Sequence, residues 1–357
     1  MNTYSAERAN IEKDEERDSR IDKAFLRFHE RSMPKIDEFR GVDGYSDKEI
    51  DEKKKKLSVH DSVFLRESEE RQEELDENNN NRAKLCTVIR MMVAEDGGES
   101  FLTGRKSHID VASRYDQLYN GTTLVYRMED LDGSKPYDIS LDVTTIDFNH
   151  NIEGMFSDKS YGAGIVKEVS FVKHGEKKKK VKNAPSFVVG ISEDNLEEAL
   201  DGYSIVSHEK NDGTTDTKLE SEGPNLDIKF KILSEMFEQT EMRLGQIERS
   251  KPLTDSIIAA KTKYTAIKSR LRNEIALMFD LNVRNIDNSE KLALFNERFE
   301  REYGEKMQSL RKEDKIYDEI IRLSKNIKTG SMAHNVMRDE KRMGDTLVRP
   351  SKLTFRR

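Results

Sequence analysis

Between Ser107 and Asp201 the apolar residues alternate with polar ones, whereas on both sides of that block they recur at steps of three and four. A period of two sends successive side chains to opposite faces of a strand, and a period near 3.6 lines one face of a helix. One alternating block flanked by helical stripes restricts the chain to a sheet held between helices. The expected fold class is therefore α+β: a central small mixed β-sheet module with flanking helices, an N-terminal helical arm, and a C-terminal antiparallel helical bundle or coiled coil.

Within the block, Ser107 to Tyr119 reads as a short helix capped by Ser107, and Asn120-Gly121 as a turn. Thr122 to Met128 and Tyr137 to Ile146 read as a hairpin, the second strand alternating through Ile139, Leu141 and Val143. Ile165 to Lys173 reads as a half-exposed strand, Lys177 to Lys182 as a basic loop, and Pro185 to Ile191 as the most apolar strand. A short acidic helix, Glu193 to Leu200, follows a Ser192 cap.

The flanks set the domain boundaries. Residues 1–98 form the helical arm, carrying Phe25 and Phe28, then Leu57 and Val63, then Leu85, Val88 and Ile89 at helical spacing. The core module covers 99–205. Residues 206–224 are nearly devoid of large apolar side chains and read as a flexible linker. Residues 225–328 carry three amphipathic stripes, through Phe230, Phe237 and Ile247, through Ile257, Tyr264 and Leu271, and through Phe295, Phe299 and Tyr303. Residues 329–357 read as a disordered basic tail, with seven Lys or Arg against three Asp or Glu from Arg338 onward.

Composition narrows the function classes. Hydrophobic residues make up 34% and charged residues 37% of 357, a balance that suits solvated helices better than one large core. The formal charge of -7 gives the whole molecule no footprint for nucleic acid, so any such contact has to be local, at Lys177 to Lys182 or in the tail. Cys86 is the single cysteine, which excludes an internal disulfide and a thiolate zinc cluster. No apolar run is long enough to span a bilayer, so the expectation is a cytoplasmic chain with no membrane partner. Gly-Lys-Ser/Thr phosphate loops, paired cysteines, His-Glu-x-x-His helices and Gly-x-Ser-x-Gly elbows are all missing. Asp130-Leu-Asp-Gly lacks the later acidic ligands of a calcium loop and reads as a turn.

The remaining chemistry lies in one succession: Tyr115-Asp116, then Asn120-Gly121-Thr-Thr-Leu-Val, then Ile139-Ser-Leu-Asp142-Val-Thr144, then Phe171-Val-Lys173 and Pro185-Ser-Phe-Val-Val-Gly. This order resembles the restriction-endonuclease-like core, the PD-(D/E)XK superfamily, over roughly the middle quarter of the chain. The resemblance implies two carboxylates on neighbouring strands holding magnesium, with a lysine two residues after the second orienting the attacking water. On this sequence the second carboxylate is Asp142, the first falls on Thr123 and the lysine position falls on Thr144. Asp116 is the displaced carboxylate that would complete a metal pair with Asp142, and Lys159, Lys167 or Lys173 is the lysine that would reach in, Lys173 being assigned beside Asp142 as catalytic.

The expected function is accordingly that of a nuclease-related protein, degenerate or weakly active in magnesium-dependent phosphodiester hydrolysis. The alternative is a non-enzymatic interaction protein that self-associates or binds a protein partner through residues 225–328.

Overall fold

A computed structural model describes residues 29–64, 80–90, 108–128, 137–146, 166–192, 203–209, 215–221, 226–249, 255–281 and 289–313, with single residues between and beyond them. Lys159, the Asp130 turn and the basic tail lie outside the described residues. The fold is α+β, and its centre is a curled five-stranded sheet in the order β1-β2-β3-β5-β4. β1 is His108–Val111, β2 Leu124–Met128, β3 Tyr137–Ile146, β4 Val166–His174 and β5 Lys177–Ser192. All neighbours are antiparallel except β3 and β5, which run parallel from Ser140 opposite Ser186 to Ile146 opposite Ser192.

β5 serves two partners in turn. Its first part, Lys177 to Pro185, pairs with β4, and from Ser186 onward it pairs with β3. Gly175 makes the tight β4–β5 turn at φ 54°, a conformation that a residue without Cβ adopts at no steric cost. The change of partner has local causes. Asn183 sits at φ 52° just before Pro185, which has no N–H to donate, and the β4–β5 register shifts on either side of Val169.

The helices are α1 Asp47–Phe64, α2 at residues 80–90, α3 Arg114–Tyr119, α4 Leu226–Arg249, α5 Asp255–Met278 and α6 Ser289–Glu313. One apolar cluster runs from Leu85 and Val88 of α2 through Leu124, Leu141 and Phe187 of the sheet to Leu233, Phe237, Tyr264 and Leu271 of α4 and α5. The C-terminal helices and the sheet therefore share one core, although composition places a boundary between them. α4 and α5 form an antiparallel hairpin tied by Lys261–Glu248 and Lys268–Glu241. α6 lies outside it, setting Phe299 and Tyr303 edge-to-face against Phe237 and pairing Arg311 with Glu238.

Three expectations are corrected. Ser107 to Tyr119 is not one helix: His-Ile-Asp-Val pairs with β2 as β1, and the helix starts later, where the Ser113 hydroxyl accepts from Asp116 N at 3.1 Å. The basic run Lys177 to Lys182 is not a loop but the start of β5. Residues 206–224 are not a linker throughout, because β6, Tyr203–Glu209, and β7, Thr215–Ser221, form an antiparallel ladder. The signal for it was the Asp212-Gly213 pair, a strong hairpin turn between runs containing Val206 and Leu219. The N-terminal helical part is docked on the sheet. It packs on β4 and β5, with Phe39, Tyr45 and Phe171 ring against ring and Tyr45 donating to Ser170 O at 2.8 Å.

His29, buried beside α2, gives this docking a pH dependence. Burial, reinforced by the positive charges of Arg90 and Arg82, lowers its pKa from 6.5 to about 4. The unfolded chain then binds a proton that the folded one rejects, so stability is complete above pH 6.5 and falls as pH drops toward 4. Between pH 7 and pH 5 urea denaturation of wild type is expected to lose about 2 kcal/mol through this residue. His29→Phe should remove that part of the slope; an unchanged slope would show that other groups carry it.

Candidate functional site

The two carboxylates singled out by the sequence lie on different parts of the fold and face different partners. Asp142 is in the middle of β3, beside Thr123, which immediately precedes β2. From α2, Arg82 reaches both strands. Its Nη2 donates to Asp142 Oδ1 at 2.7 Å and to Thr123 Oγ1 at 2.8 Å, and its Nε donates to the carbonyl of Val143 at 2.9 Å. Thr123 Oγ1 in turn donates to Asp142 Oδ1 at 3.3 Å and accepts from Val143 N at 3.2 Å. A planar guanidinium with a fixed fork of donors suits this three-way task, and it places a full positive charge on the oxygen that a metal would need.

Asp116 is buried in the first turn of α3. Its two oxygens accept from Ser170 N at 2.7 Å, Phe171 N at 2.9 Å, Ser113 Oγ at 2.7 Å and Asn120 Nδ2 at 2.5 Å. Burial raises its pKa above the ordinary carboxylate range, and those four donors oppose the rise. The carboxylate joins α3 to the middle of β4.

The lysines separate in the same way. Lys173 pairs with Glu38 Oε2 at 2.5 Å, which raises its pKa, and lies six residues along β4 from Lys167, about 20 Å in an extended strand. The assignment of Lys173 beside Asp142 is thereby overturned. Lys167 is the one that comes near: it is buried, its ammonium donates to the carbonyl of Gly121, and it feels the charge of Asp142. Burial, with the nearby cations Arg82 and Arg243, lowers its pKa to about 8, and Asp142 opposes that shift. Thr144, at the family's lysine position, stands in β3 opposite Gly190.

The basic run is similarly engaged. Lys178 donates to the carbonyl of Glu38 at 2.6 Å, Lys179 pairs with Asp138 at 2.7 Å, and Lys180 pairs with Glu49 at 2.6 Å. These ammonium groups hold the N-terminal helices and β3 to the sheet, which removes most of the run from contact with phosphate.

A polar seam went unread in the sequence. Beyond Pro185 one edge of β5 turns away from β3, and side chains of α4 and α5 cap it. Tyr264 OH accepts from Ser186 N at 3.0 Å, Gln239 accepts from Val188 N at 3.0 Å and donates to Val188 O at 2.6 Å, and Glu235 accepts from Gly190 N at 3.0 Å. Lys231, Glu235, Gln239 and Arg243 recur every four residues and are all buried. Arg243 donates to Gln246 at 3.1 Å and bonds Tyr264. Four helical residues rise about 6.0 Å and two strand residues about 6.6 Å, so each turn of α4 meets the next outward peptide of β5. The available signal was apolar residues on both sides of this stripe, Ile228, Ile232 and Met236 on one and Phe230, Leu233 and Phe237 on the other, which marks a helix buried nearly all round.

No protein-family model matches this sequence, and neither a curated protein nor a solved structure matches it. Among the described residues no helix is long and apolar enough to cross a membrane.

Proposed function

We propose that this protein is a non-catalytic interaction protein, in which the central sheet is a nuclease-like scaffold without a working hydrolytic site and a second copy is bound through the C-terminal helices. The observation that carries the first half is Arg82 on Asp142: a guanidinium fills the role of the cation, and Thr123 supplies no second carboxylate. The second half is supported by exposure. Among the described residues, Leu226, Ile258, Leu277, Leu292 and Leu294 are exposed large apolar side chains in α4 to α6, against Val59 alone elsewhere. The outer face of α6 alternates Glu297, Arg298, Glu300 and Arg301, a mixed-sign surface that complements itself across a two-fold axis.

A weakly active nuclease is the second reading, favoured by Lys167 with its pKa near 8 in the field of Asp142. Sedimentation of the full chain over a wide concentration range tests the first, with plasmid and magnesium incubated in parallel. The expected result is association that Leu292→Glu with Leu294→Glu abolishes, and no nicking. A monomer at every concentration overturns self-association; magnesium-dependent nicking that is lost in Asp142→Ala overturns the non-catalytic reading. The full chain is required, because residues 225–328 alone would bare the polar seam that caps β5.

A further inference from the structure

Curling brings the two outer strands of the sheet, β1 and β4, together at one end. His108 and Asp110 are two residues apart on β1, so the strand period places both on one face. His174 is the last residue of β4, immediately before the Gly175 turn. The two imidazoles lie face to face, with ring centroids 3.5 Å apart and planes at 19°. Asp110 sits against both, its Oδ1 at 3.1 Å from His174 Nδ1 and its Oδ2 at 3.4 Å from His108 Nε2. One donor atom from each residue falls within 4.8 Å of the other two.

Packing alone gives no reason for this arrangement. His108 Nε2 is buried and makes no hydrogen bond, although it points into the cluster. Two stacked imidazoles cannot both be charged at this spacing without strong repulsion, and a lone carboxylate satisfies only part of their combined capacity. A cation held by all three groups would use each of them. Around a tetrahedral ion with ligand bonds of about 2.0–2.1 Å, donor atoms lie about 3.4 Å apart; the present His–Asp separations use both oxygens of Asp110 and the one-atom-each set falls within 4.8 Å, so the three groups close in on the ion as it binds.

We infer that His108, Asp110 and His174 bind a divalent transition metal of the zinc type, which fastens β1 to β4 and closes the open side of the sheet. Two imidazole nitrogens and one carboxylate oxygen suit zinc, cobalt or nickel, whereas magnesium and calcium prefer all-oxygen sites. Three protein ligands leave the fourth tetrahedral position to water, on the side where His174 is exposed. The site is separate from Asp116 and Asp142, and its fate does not depend on the proposed function.

The test is titration of chelator-treated full-length protein with zinc by calorimetry and with cobalt by visible absorption, with magnesium alongside. Wild type is expected to bind one equivalent of zinc, give the intense bands of tetrahedral cobalt, and melt at a higher temperature with zinc. His174→Ala, at an exposed strand end, and Asp110→Asn should each weaken zinc by more than about 100-fold, while their circular dichroism stays that of wild type. Asp142→Ala should bind zinc as wild type does. Zinc affinity unchanged in His174→Ala and Asp110→Asn, or folded wild type that binds no zinc, overturns the inference.

Discussion

Asp116→Ala is expected to destabilise the fold by about 4 kcal/mol, the largest effect of any single substitution in the sheet module. The substitution strips four donors of their acceptor, two of them the backbone N–H groups of Ser170 and Phe171 in buried β4. A buried donor left unsatisfied costs about 1–3 kcal/mol, and relief from burying the carboxylate offsets only part of the total. Asp116→Asn keeps the volume but turns an amide N–H toward a donor, so about half the loss is expected. Equilibrium urea unfolding of the three proteins decides the matter. A metal-ligand role predicts the reverse sign without metal, because ligands gathered around an empty cation site repel. A neutral or stabilising Asp116→Ala would therefore restore Asp116 as a ligand candidate.

The second large effect is expected at Gln239. Gln239→Leu preserves volume and helix propensity, yet it removes the amide that meets both the N–H and the C=O of Val188. Both groups are buried against α4, so a loss of about 3 kcal/mol is expected. Glu235→Gln supplies the contrast. It can still accept from Gly190 N, so the β5 contact survives, but it gives up the charge facing buried Lys231 at 3.5 Å, and about 3 kcal/mol is expected from the broken ion pair. Hydrogen exchange adds a local readout: the Val188 amide should lose protection in Gln239→Leu well before the amides of α1 do. Unchanged protection of the Val188 amide in Gln239→Leu would mean that α4 is held on β5 by its apolar flanks alone.

Alternation made the sheet legible, and the reasons for the misreadings are specific. β3 matches its expected bounds because Ile139, Leu141 and Val143 face one core while their neighbours face the other side. β1 was lost inside a predicted helix because four residues are too few to show a period, and Ser107 imitates the cap that Ser113 provides. The Lys177 to Lys182 run concealed a strand, since its ammonium groups find carboxylates and a carbonyl on elements far away in sequence. Site residues were harder still. Asp142 falls on the strand read for it, but its partner Arg82 is sixty residues away in a helix that the sequence marks only as apolar. His108 and His174 are brought together by curl, which no spacing in the chain records.

The divided loyalty of β5 also fixes the order in which the chain assembles. β1, β2 and β3 follow one another as a meander, and β4 with β5 is a two-residue hairpin, so each set closes short loops at little entropic cost. Joining the two sets requires Ser140 to find Ser186 across a much longer stretch of chain, and parallel pairing of that kind is slow. Until α4 and α5 arrive, the outward peptides of Ser186, Val188 and Gly190 form an unpaired strand edge. That edge is the point at which a chain halted during synthesis would recruit a strand from its neighbour.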